Sequence, residues 1–528
     1  MRSRSRKRRR GSRITLSPPG PHRRVPSIGA LGALSGALPQ ARASYSRAVR
    51  DLAERALDAA SAAGADFADC RVVARTVENI VVKNGAVSTV ATSDDEGIGV
   101  RVLAAGCWGY AATDELDAQH IEEAARRAVH IARASARVNN KPVRLAPHPA
   151  RTGEYRTPVQ RDPFTVSLGD KLQLLMSTDE AMGRVGGVTV RECSLEFVRE
   201  ERFFASTEGS RLAQTIIESG GGMDVTATAE NEFQMRSFPN SFGRHQLCAG
   251  WEAIEGFDLP GNAERIAEEA AALLTADLCP EGVMTVILDG TQAALQVHES
   301  CGHPTELDRV LGHEAAYAGT SFLVPELLGS FRYGSDSVTM TADATRPTGL
   351  GTFGWDDEGT PAQRTLLVDR GLFTGYLTSR ETAAVIGQES NGTMRGDGWS
   401  RLPIIRMTNI NLEPGESSLE EMIAGTEHGV YLETNRSWSI DDVRLNFQFG
   451  TQNGWEIVDG KRTRLVRNAV YSGRTPEFWG SCDAVAGPDE WRMYGVVNCG
   501  KGQPSQLMHV GHGAAPCRFR NVRVEPAR

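Results

Sequence analysis

The pattern of helical and strand-like segments changes near residue 278, and this change limits the choice of fold more than any other feature of the chain. Before residue 278, helical and strand-like segments alternate, whereas beyond about residue 310 strands and glycine-rich turns dominate. Such a layout favours a sheet with helices on one side, followed by a series of hairpins. We therefore predict an α+β chain: residues 44–277 form an N-terminal domain of sheet covered by helices, and residues 278–528 form a mainly antiparallel β domain.

Local signals place several elements. Apolar residues recur at steps of three and four from Tyr45, which predicts a helix that stops at Gly64. Strand-like segments follow at 70–74, 79–83, 87–92 and 98–104, and Asn84-Gly85 between two of them is a strong hairpin signal. Further helices are predicted at 117–134, 168–185 and 262–274, and a buried strand is predicted at 283–288.

The charge is distributed unevenly along the chain. The 528 residues carry a formal net charge of −8, but residues 1–24 contain ten Lys or Arg and no acid, which leaves 48 basic against 66 acidic residues in the remainder. An acidic body of this kind is a poor ligand for nucleic acid, so only the basic segment could contact such a polymer. We predict that residues 1–43 form a basic disordered tail.

The same tail has a second interpretation as an export signal. Arg23-Arg24 precede a weakly apolar stretch at 28–38. Ala41-Arg42-Ala43 resembles the small-residue cleavage site of a signal peptide. This twin-arginine interpretation is the less favoured alternative, because the apolar stretch is short and rich in glycine. The sequence contains no run of about 18 apolar residues, so no membrane-spanning helix is predicted.

Nine cysteines are scattered along the chain without a CxxC pair. In a chain of this length, an odd number of dispersed cysteines indicates reduced thiols and a cytoplasmic setting. A cysteine that matters for function should therefore act as a metal ligand or a nucleophile.

The segment His298-Glu299-Ser300-Cys301-Gly302-His303 has the residue types of a metal site in an unusual spacing. Zinc peptidases commonly place two histidines four residues apart, on one face of a helix. A spacing of five residues turns the second histidine about 140° away from alignment on an ideal helix. Both imidazoles can reach one metal only if the helix is distorted or ends between them.

The neighbouring residues suggest how the backbone could change direction. Gly302 is conformationally permissive, and Pro304 disfavours the α region for His303. We therefore predict a helix from about residue 291 that ends at 301–303 and turns His303 back toward His298. Glu299 would then lie beside the metal as the base for a water molecule.

A catalytic zinc needs a third protein ligand. The chemically suitable candidates are Cys301, Glu306, His313, Cys482, Cys499, His509 and His512. Cys499 is notable because it follows a strand and precedes a glycine turn, whereas His509 and His512 are expected in a loop. Two interpretations without metal also exist. In one, the motif is a helix end whose imidazoles have hydrogen-bond partners; in the other, Glu299 pairs with a nearby arginine.

Several segments together resemble the TldD/PmbA family of zinc metallopeptidases, in particular the TldD-type subunit that bears the metal motif. They are VHESCGHPTE (297–306), DDEGTPAQRT (356–365), RMTN (406–409), GVYL (429–432), FQFG (447–450) followed by Asn453-Gly454, and CGKGQ (499–503). The resemblance covers the C-terminal half well and the N-terminal half more loosely. Pro304 and Thr305 depart from the family pattern, as does the segment 1–43.

The resemblance implies a zinc ion held by His298, His303 and Cys499, with Glu299 activating the water on the metal. It also implies hydrolysis of unfolded or extended peptides, and a heterodimer with a TldE-like subunit that lacks the motif; a homodimer is the alternative. An extended peptide could add to a sheet edge through main-chain hydrogen bonds that ignore side chains. A non-catalytic scaffold or partner subunit is the competing hypothesis.

Supporting residues are less well defined by the sequence. His428 and Tyr431 are candidates for stabilising a developing oxyanion. Asp356 begins an acidic run that could support the site or form a solvated turn. Arg406 and Asn409 are expected to make structural pairings.

Overall fold

The computed structural model describes residues 39–139 and 141–527, and the side chains from residue 47 onward. The predicted tail lies outside the described residues as far as residue 38, as does the proposed Arg23-Arg24 signal. Residues 39–43 form the first turns of a helix, which therefore begins earlier than the predicted Tyr45. Within the described part of the chain, none of the helices has the length and apolar character needed to span a bilayer.

The helices of the described residues are distributed over both halves of the chain. They are α1 Pro39–Ala62, α2 Ala118–Ser135, α3 Leu168–Gly183, α4 Trp251–Phe257, α5 Leu259–Leu273, α6 Gly290–Val297, α7 Leu307–Val310, α8 Arg380–Val385, α9 Leu419–Ala424 and α10 Thr475–Gly480. The predicted stop of α1 at Gly64 is confirmed, because this glycine has a φ of +88°.

The strands of the N-terminal half belong to one sheet. They are β1 Phe67–Lys83, β2 Ala86–Ala104, β3 Cys107–Thr113, β4 Thr152–Arg156, β5 Val188–Ser206, β6 Arg211–Ala229, β7 Glu232–Phe238 and β8 His245–Leu247. Their order is β3-β2-β1-β5-β6-β4, with β7 and β8 also paired to β6. The Asn84-Gly85 turn is confirmed, since both residues have positive φ, 48° and 78°.

The helices of this half cover one face of the sheet, as the sequence predicts. Alternate residues of β1 carry the apolar contacts: Ala68, Cys70 and Val72 share a core with α1 and α2. Ile80 and Val82 on the same face share a core with α3, α4 and α5. The opposite face carries charged side chains directed at the C-terminal half.

The strands of the C-terminal half form several smaller sheets around one extended core. They are β9 Asp277–Leu278, β10 Gly282–Leu288, β11 Met340–Asp343, β12 Arg364–Asp369, β13 Leu372–Phe373, β14 Met394–Arg395, β15 Ile404–Ile405, β16 Ile410–Leu412, β17 His428–Ile440, β18 Asn446–Val458, β19 Lys461–Arg467, β20 Ala469–Arg474, β21 Cys482–Val485, β22 Arg492–Lys501, β23 Gln506–Ala514 and β24 Cys517–Pro526.

Most of these strands pair antiparallel, so the α+β class with a mainly antiparallel second half is confirmed. The largest sheet has the order β17-β10-β24-β20-β18-β19-β9, with β21 on β24. Only the pairings β10–β17 and β19–β9 are parallel among the described strands of this sheet. The strand β10 is flanked by β17 and β24, and it leads directly into α6.

Buried ion pairs join the two halves. The Arg71 guanidinium of β1 donates to Asp357 at 2.9 Å, and Arg101 of β2 donates to Glu358 at 3.0 Å. Arg101 also pairs with Asp69, so two carboxylates share one buried guanidinium. The acidic run at 356–358 is therefore buried at this interface and is not a solvated turn.

Candidate metal centre

The helix that carries the motif widens and does not end between the two histidines. The Asp289 carboxylate caps α6 by accepting hydrogen bonds from the N–H groups of Thr291 and Gln292. After α6, residues His298–Gly302 form a π-helical turn in which the N–H of His303 donates to the carbonyl of His298. This five-residue turn aligns the two imidazoles, whose ring centroids lie 4.9 Å apart.

The predicted backbone change at His303 is wrong in its detail. His303 keeps helical angles, φ −61° and ψ −44°, although proline follows it. The carbonyl of Ser300, four residues before Pro304, lacks the usual N–H partner and instead accepts a hydrogen bond from the Tyr333 hydroxyl at 2.7 Å. A distant side chain thus satisfies the carbonyl that proline leaves unpaired.

Gly302 has a different role from the predicted one. Its φ of −56° is open to any residue, so conformational freedom is not required there. A Cβ atom at this position would lie 2.4 Å from Sδ of Met407. The absence of a Cβ atom at Gly302 therefore lets the turn pack closely against the Met407 side chain.

The structure brings together His298, His303 and Cys499. One donor atom from each residue lies within 4.8 Å of the others, and Sγ of Cys499 is 3.7 Å from Nε2 of His303. A tetrahedral zinc ion with its usual bond lengths separates N and S ligands by about 3.3–3.6 Å. All three side chains are buried, and their donor types and spacing are those of a group that could hold a metal ion.

Hydrogen bonds fix the orientation of His298. Nδ1 of His512 lies 3.1 Å from the carbonyl of Ile410, so it carries the proton, and Nε2 of His512 is an acceptor. Nδ1–H of His298 donates to that Nε2 at 2.7 Å. The remaining Nε2 of His298 then has a free lone pair for a metal.

His303 is oriented in a similar way by a carboxylate. Its Nδ1–H donates to Glu306 at 2.9 Å, which leaves Nε2 facing Cys499. The buried ammonium of Lys501 lies 3.5 Å from the other carboxylate oxygen of Glu306. Glu306 and His512, two of the candidates for the third ligand, thus support the imidazoles instead.

The electrostatics of Cys499 and His303 suit metal binding. Burial would lower the pKa of His298, but the neighbouring Cys499 thiolate outweighs burial and raises it. Burial alone would raise the pKa of the Cys499 thiol, but His298, Arg406 and His303 outweigh burial and hold that pKa well below its ordinary value. Burial lowers the pKa of His303 to about 3, so its imidazole is neutral. A thiolate and a neutral imidazole are the forms that bind zinc.

Glu299 lies beside these groups and is paired with an arginine. Its carboxylate is buried and accepts a hydrogen bond from Nη1 of Arg444 at 2.5 Å. Burial raises the pKa of Glu299, but His298, His303 and Arg444 outweigh it, so the pKa is lowered and the group is a carboxylate. Arg444 lies 145 residues after Glu299, in the turn between β17 and β18. No spacing rule in the sequence points to this arginine.

Other candidates for the third ligand lie elsewhere. Cys301 packs in the hydrophobic core, and Cys482 belongs to β21. His313 is exposed, whereas Glu314 pairs with Arg309 at 2.8 Å. His509 and His512 lie in strand β23 and not in a loop, and Nδ1 of His509 contacts Glu218 at 2.6 Å.

The structure does not bring His428, Tyr431 or Asp356 into this cluster. His428 is exposed at the start of β17, near the beginning of β10, whereas the cluster follows the end of β10. The ring of Tyr431 packs against the Arg462 guanidinium. The Asp356 carboxylate accepts hydrogen bonds from the N–H groups of Glu358, Thr360 and Met394, so it shapes its own turn.

Arg406 and Asn409 make the structural pairings that the sequence predicts. The Arg406 guanidinium donates to the carbonyl oxygens of Cys499 and Gln506 at 2.5 and 3.3 Å, which ties β22 to β23 behind the thiol. The Asn409 amide donates to the carbonyl of Asp343 at the end of β11 and to the Thr352 hydroxyl, and it accepts from the N–H of Gly351.

Comparison with known proteins identifies the family. Models of the PmbA/TldA metallopeptidases match in order: domain 1 over residues 68–132, the central domain over 161–278 and the C-terminal domain over 281–525. A metalloprotease of Methanothermobacter thermautotrophicus is 30% identical over 462 residues, which are 87% of this chain and 95% of that protein. A metalloprotease of Methanocaldococcus jannaschii is 29% identical over 456 residues, 86% of this chain and 96% of that protein.

More distant relatives agree. A protein of Saccharolobus solfataricus named a zinc metalloprotease TldD homolog is 23% identical over 467 residues, 87% of this chain and 97% of that protein. The crystal structure of TldE from Thermococcus kodakarensis shares the fold, with a TM-score of 0.68 at 17% identity over 90% of this chain and 99% of that one. The chain described here belongs to the PmbA/TldD family of metallopeptidases.

Proposed function

We propose that this chain is a zinc-dependent peptidase subunit that hydrolyses unfolded or extended peptides. The observation that carries the proposal is the buried cluster of His298, His303 and Cys499, with donor atoms within 4.8 Å of one another. The buried carboxylate of Glu299 follows His298 in the same π-helical turn, close enough for both imidazoles to lower its pKa. The two halves of the chain, 44–277 and 278–528, are proposed as its domains, and the cluster lies in the second.

The three side chains would hold zinc, a choice supported by their N₂S donor set and by the name of the Saccharolobus solfataricus relative. When bound, zinc polarises a scissile carbonyl and lowers the pKa of a water molecule toward ~7. His512 and Glu306 keep the imidazole protons on Nδ1, so both Nε2 atoms present lone pairs to the cluster.

Glu299 would move the protons of the reaction. Its lowered pKa supplies a carboxylate that can accept a proton from the attacking water and pass it to the leaving amine. One of its oxygens is held by Arg444, and within the described chain the other receives no hydrogen bond from the protein, so it is available for this exchange.

The substrate and partner follow from the same proposal. An extended peptide could pair with a strand edge, which provides main-chain recognition without a preference for side chains. A TldE-like subunit is the proposed partner, with a homodimer as the alternative; the shared fold with a solved TldE supports this choice. A cytoplasmic location is proposed because the nine cysteines are all free and buried.

The test combines metal analysis with cleavage of an unstructured peptide by the purified chain, alone and together with the candidate partner. We expect about one zinc per chain, and we expect Glu299→Gln to retain zinc while kcat falls by about 10²–10⁴-fold. Normal cleavage by Glu299→Gln would refute the mechanism. A chain that binds no zinc, and a His298→Ala variant with unchanged properties, would favour a non-catalytic scaffold.

A further inference from the structure

Arg444 lies at the candidate site, although metal binding by His298, His303 and Cys499 does not require it. The side chains of Arg444 and Glu299 are only 14% and 6% exposed, and their contact distance is 2.5 Å. A buried carboxylate is costly without a charged partner. Within the described residues, the hydrogen bond to the Glu299 side chain comes from Arg444.

The backbone around Arg444 is built to present this side chain. Arg444 has a φ of +64°, in the left-handed region that non-glycine residues rarely adopt. Its N–H donates to the carbonyl of Asp441, and its own carbonyl accepts from the Thr475 hydroxyl, both at 2.9 Å. Hydrogen bonds of both the N–H and the carbonyl of Arg444 thus stabilise this unusual backbone conformation.

The turn that contains Arg444 is also fixed to the chain that follows the metal motif. The carbonyl of Asp442 accepts hydrogen bonds from the Arg309 guanidinium and from the N–H of Thr320, both at 3.0 Å. Arg309 belongs to α7, which begins four residues after His303. The turn and the motif therefore form one connected unit, and the Arg444 guanidinium is not free to drift from Glu299.

We propose that Arg444 is a positioning residue for Glu299: its Nη1 fixes one carboxylate oxygen, so that the other is held at a constant place beside the cluster. This role rests on the proposed peptidase function. Misplacement of a reacting group by about 1 Å can cost about 10²-fold in rate, so a fixed carboxylate is worth the strained backbone at residue 444.

The positive φ of Arg444 allows a substitution that removes the side chain without straining the backbone. Glycine adopts a φ of +64° without strain, so Arg444→Gly removes the guanidinium while the turn keeps its shape. Arg370→Gly is the matched control, because Arg370 also has a positive φ, 42°, but its side chain is 79% exposed. Zinc content, kcat and KM are measured for the wild type and for both variants, with Glu299→Gln and the Arg444→Gly/Glu299→Gln double variant.

We expect Arg444→Gly to retain zinc and KM, to lose about 10²-fold in kcat and to regain activity when guanidinium ions are added. In the Glu299→Gln background the same substitution should change kcat less than about twofold. The unfolding temperature of Arg444→Gly should fall by several degrees, and Glu299→Gln in the same chain should recover part of the fall, because no buried charge is then unpaired.

Two results would overturn the role of Arg444 alone: a kcat like that of Arg370→Gly, or a double variant no more stable than Arg444→Gly. Normal cleavage by Glu299→Gln would instead overturn the proposed function, and the role of Arg444 with it.

Discussion

At the scale of single residues, the candidate site divides into a part that lies together in the sequence and a part that does not. His298, Glu299 and His303 are visible as a motif because they lie within six residues. Cys499 became the favoured third ligand only through resemblance to a family, since seven residues had suitable chemistry. Arg444 carried no sequence signal, because its contact with Glu299 depends on where a distant hairpin turn folds.

His512 offers a test at this scale. Removing its imidazole in His512→Ala leaves Nδ1–H of His298 without an acceptor, so we expect zinc affinity to fall by about 10–100-fold. Competition with a chelator measures the change. His313→Ala removes an exposed histidine and serves as control; equal zinc affinity in the two variants would show that His512 does not orient His298.

At the scale of elements, the π-helical turn brings the two histidines of the motif together, and its sequence prediction was only half right. The spacing of the histidines correctly indicated a departure from an ideal helix. The form of the departure depends on Tyr333 and Met407, which contact the turn from other parts of the chain. Local propensity favoured an extended His303 before Pro304, and tertiary contacts overrode that preference.

The bond from Tyr333 can be tested by removing one oxygen atom. Tyr333→Phe leaves the buried carbonyl of Ser300 unpaired, and we expect a loss of about 1–3 kcal/mol in the free energy of unfolding. Denaturant titration measures this loss. Tyr317→Phe removes an exposed hydroxyl that contacts Ser505 and should cost less than ~0.5 kcal/mol. If both variants lose the same amount, the turn does not depend on Tyr333.

The long strands show a second limit of local patterns. The sequence indicates separate short strands at 70–74 and 79–83, but β1 runs unbroken over 17 residues. The gap in the apolar pattern contains Arg75 and Glu78, which are paired with Glu200 and Lys171 respectively. Charged residues in a strand look like a break when their partners, more than 90 residues away, are unknown.

At the scale of the whole molecule, buried ion pairs join the two halves of the chain. The sequence predicts two differently organised halves, and the structure contains two such sets of strands. The interface between the halves could not be predicted from the sequence, because the residues of the pairs Arg71–Asp357 and Arg101–Glu358 are 286 and 257 positions apart. The acidic run was therefore ambiguous until its partners were known.

Arg101 is the sharpest test of this interface. Arg101→Met leaves Asp69 and Glu358 buried without their shared partner, and we expect a loss of about 3–5 kcal/mol in unfolding free energy. Arg55→Met breaks an exposed pair with Glu122 and should cost only about 0–1 kcal/mol. Denaturant unfolding of both variants measures these losses. Similar small losses of unfolding free energy in the two variants would show that the Arg101 pairs stabilise the protein no more than a surface pair does.

The position of β10 between β17 and β24 has a consequence for biosynthesis. The strand that leads into the motif gains β24 as its second neighbour only when residues 517–526 have been made. Cys499 and His512 are likewise translated some 200 residues after His298. The cluster of His298, His303 and Cys499 therefore cannot assemble until translation has passed residue 499, and β10 stays without β24 until residues 517–526 have followed.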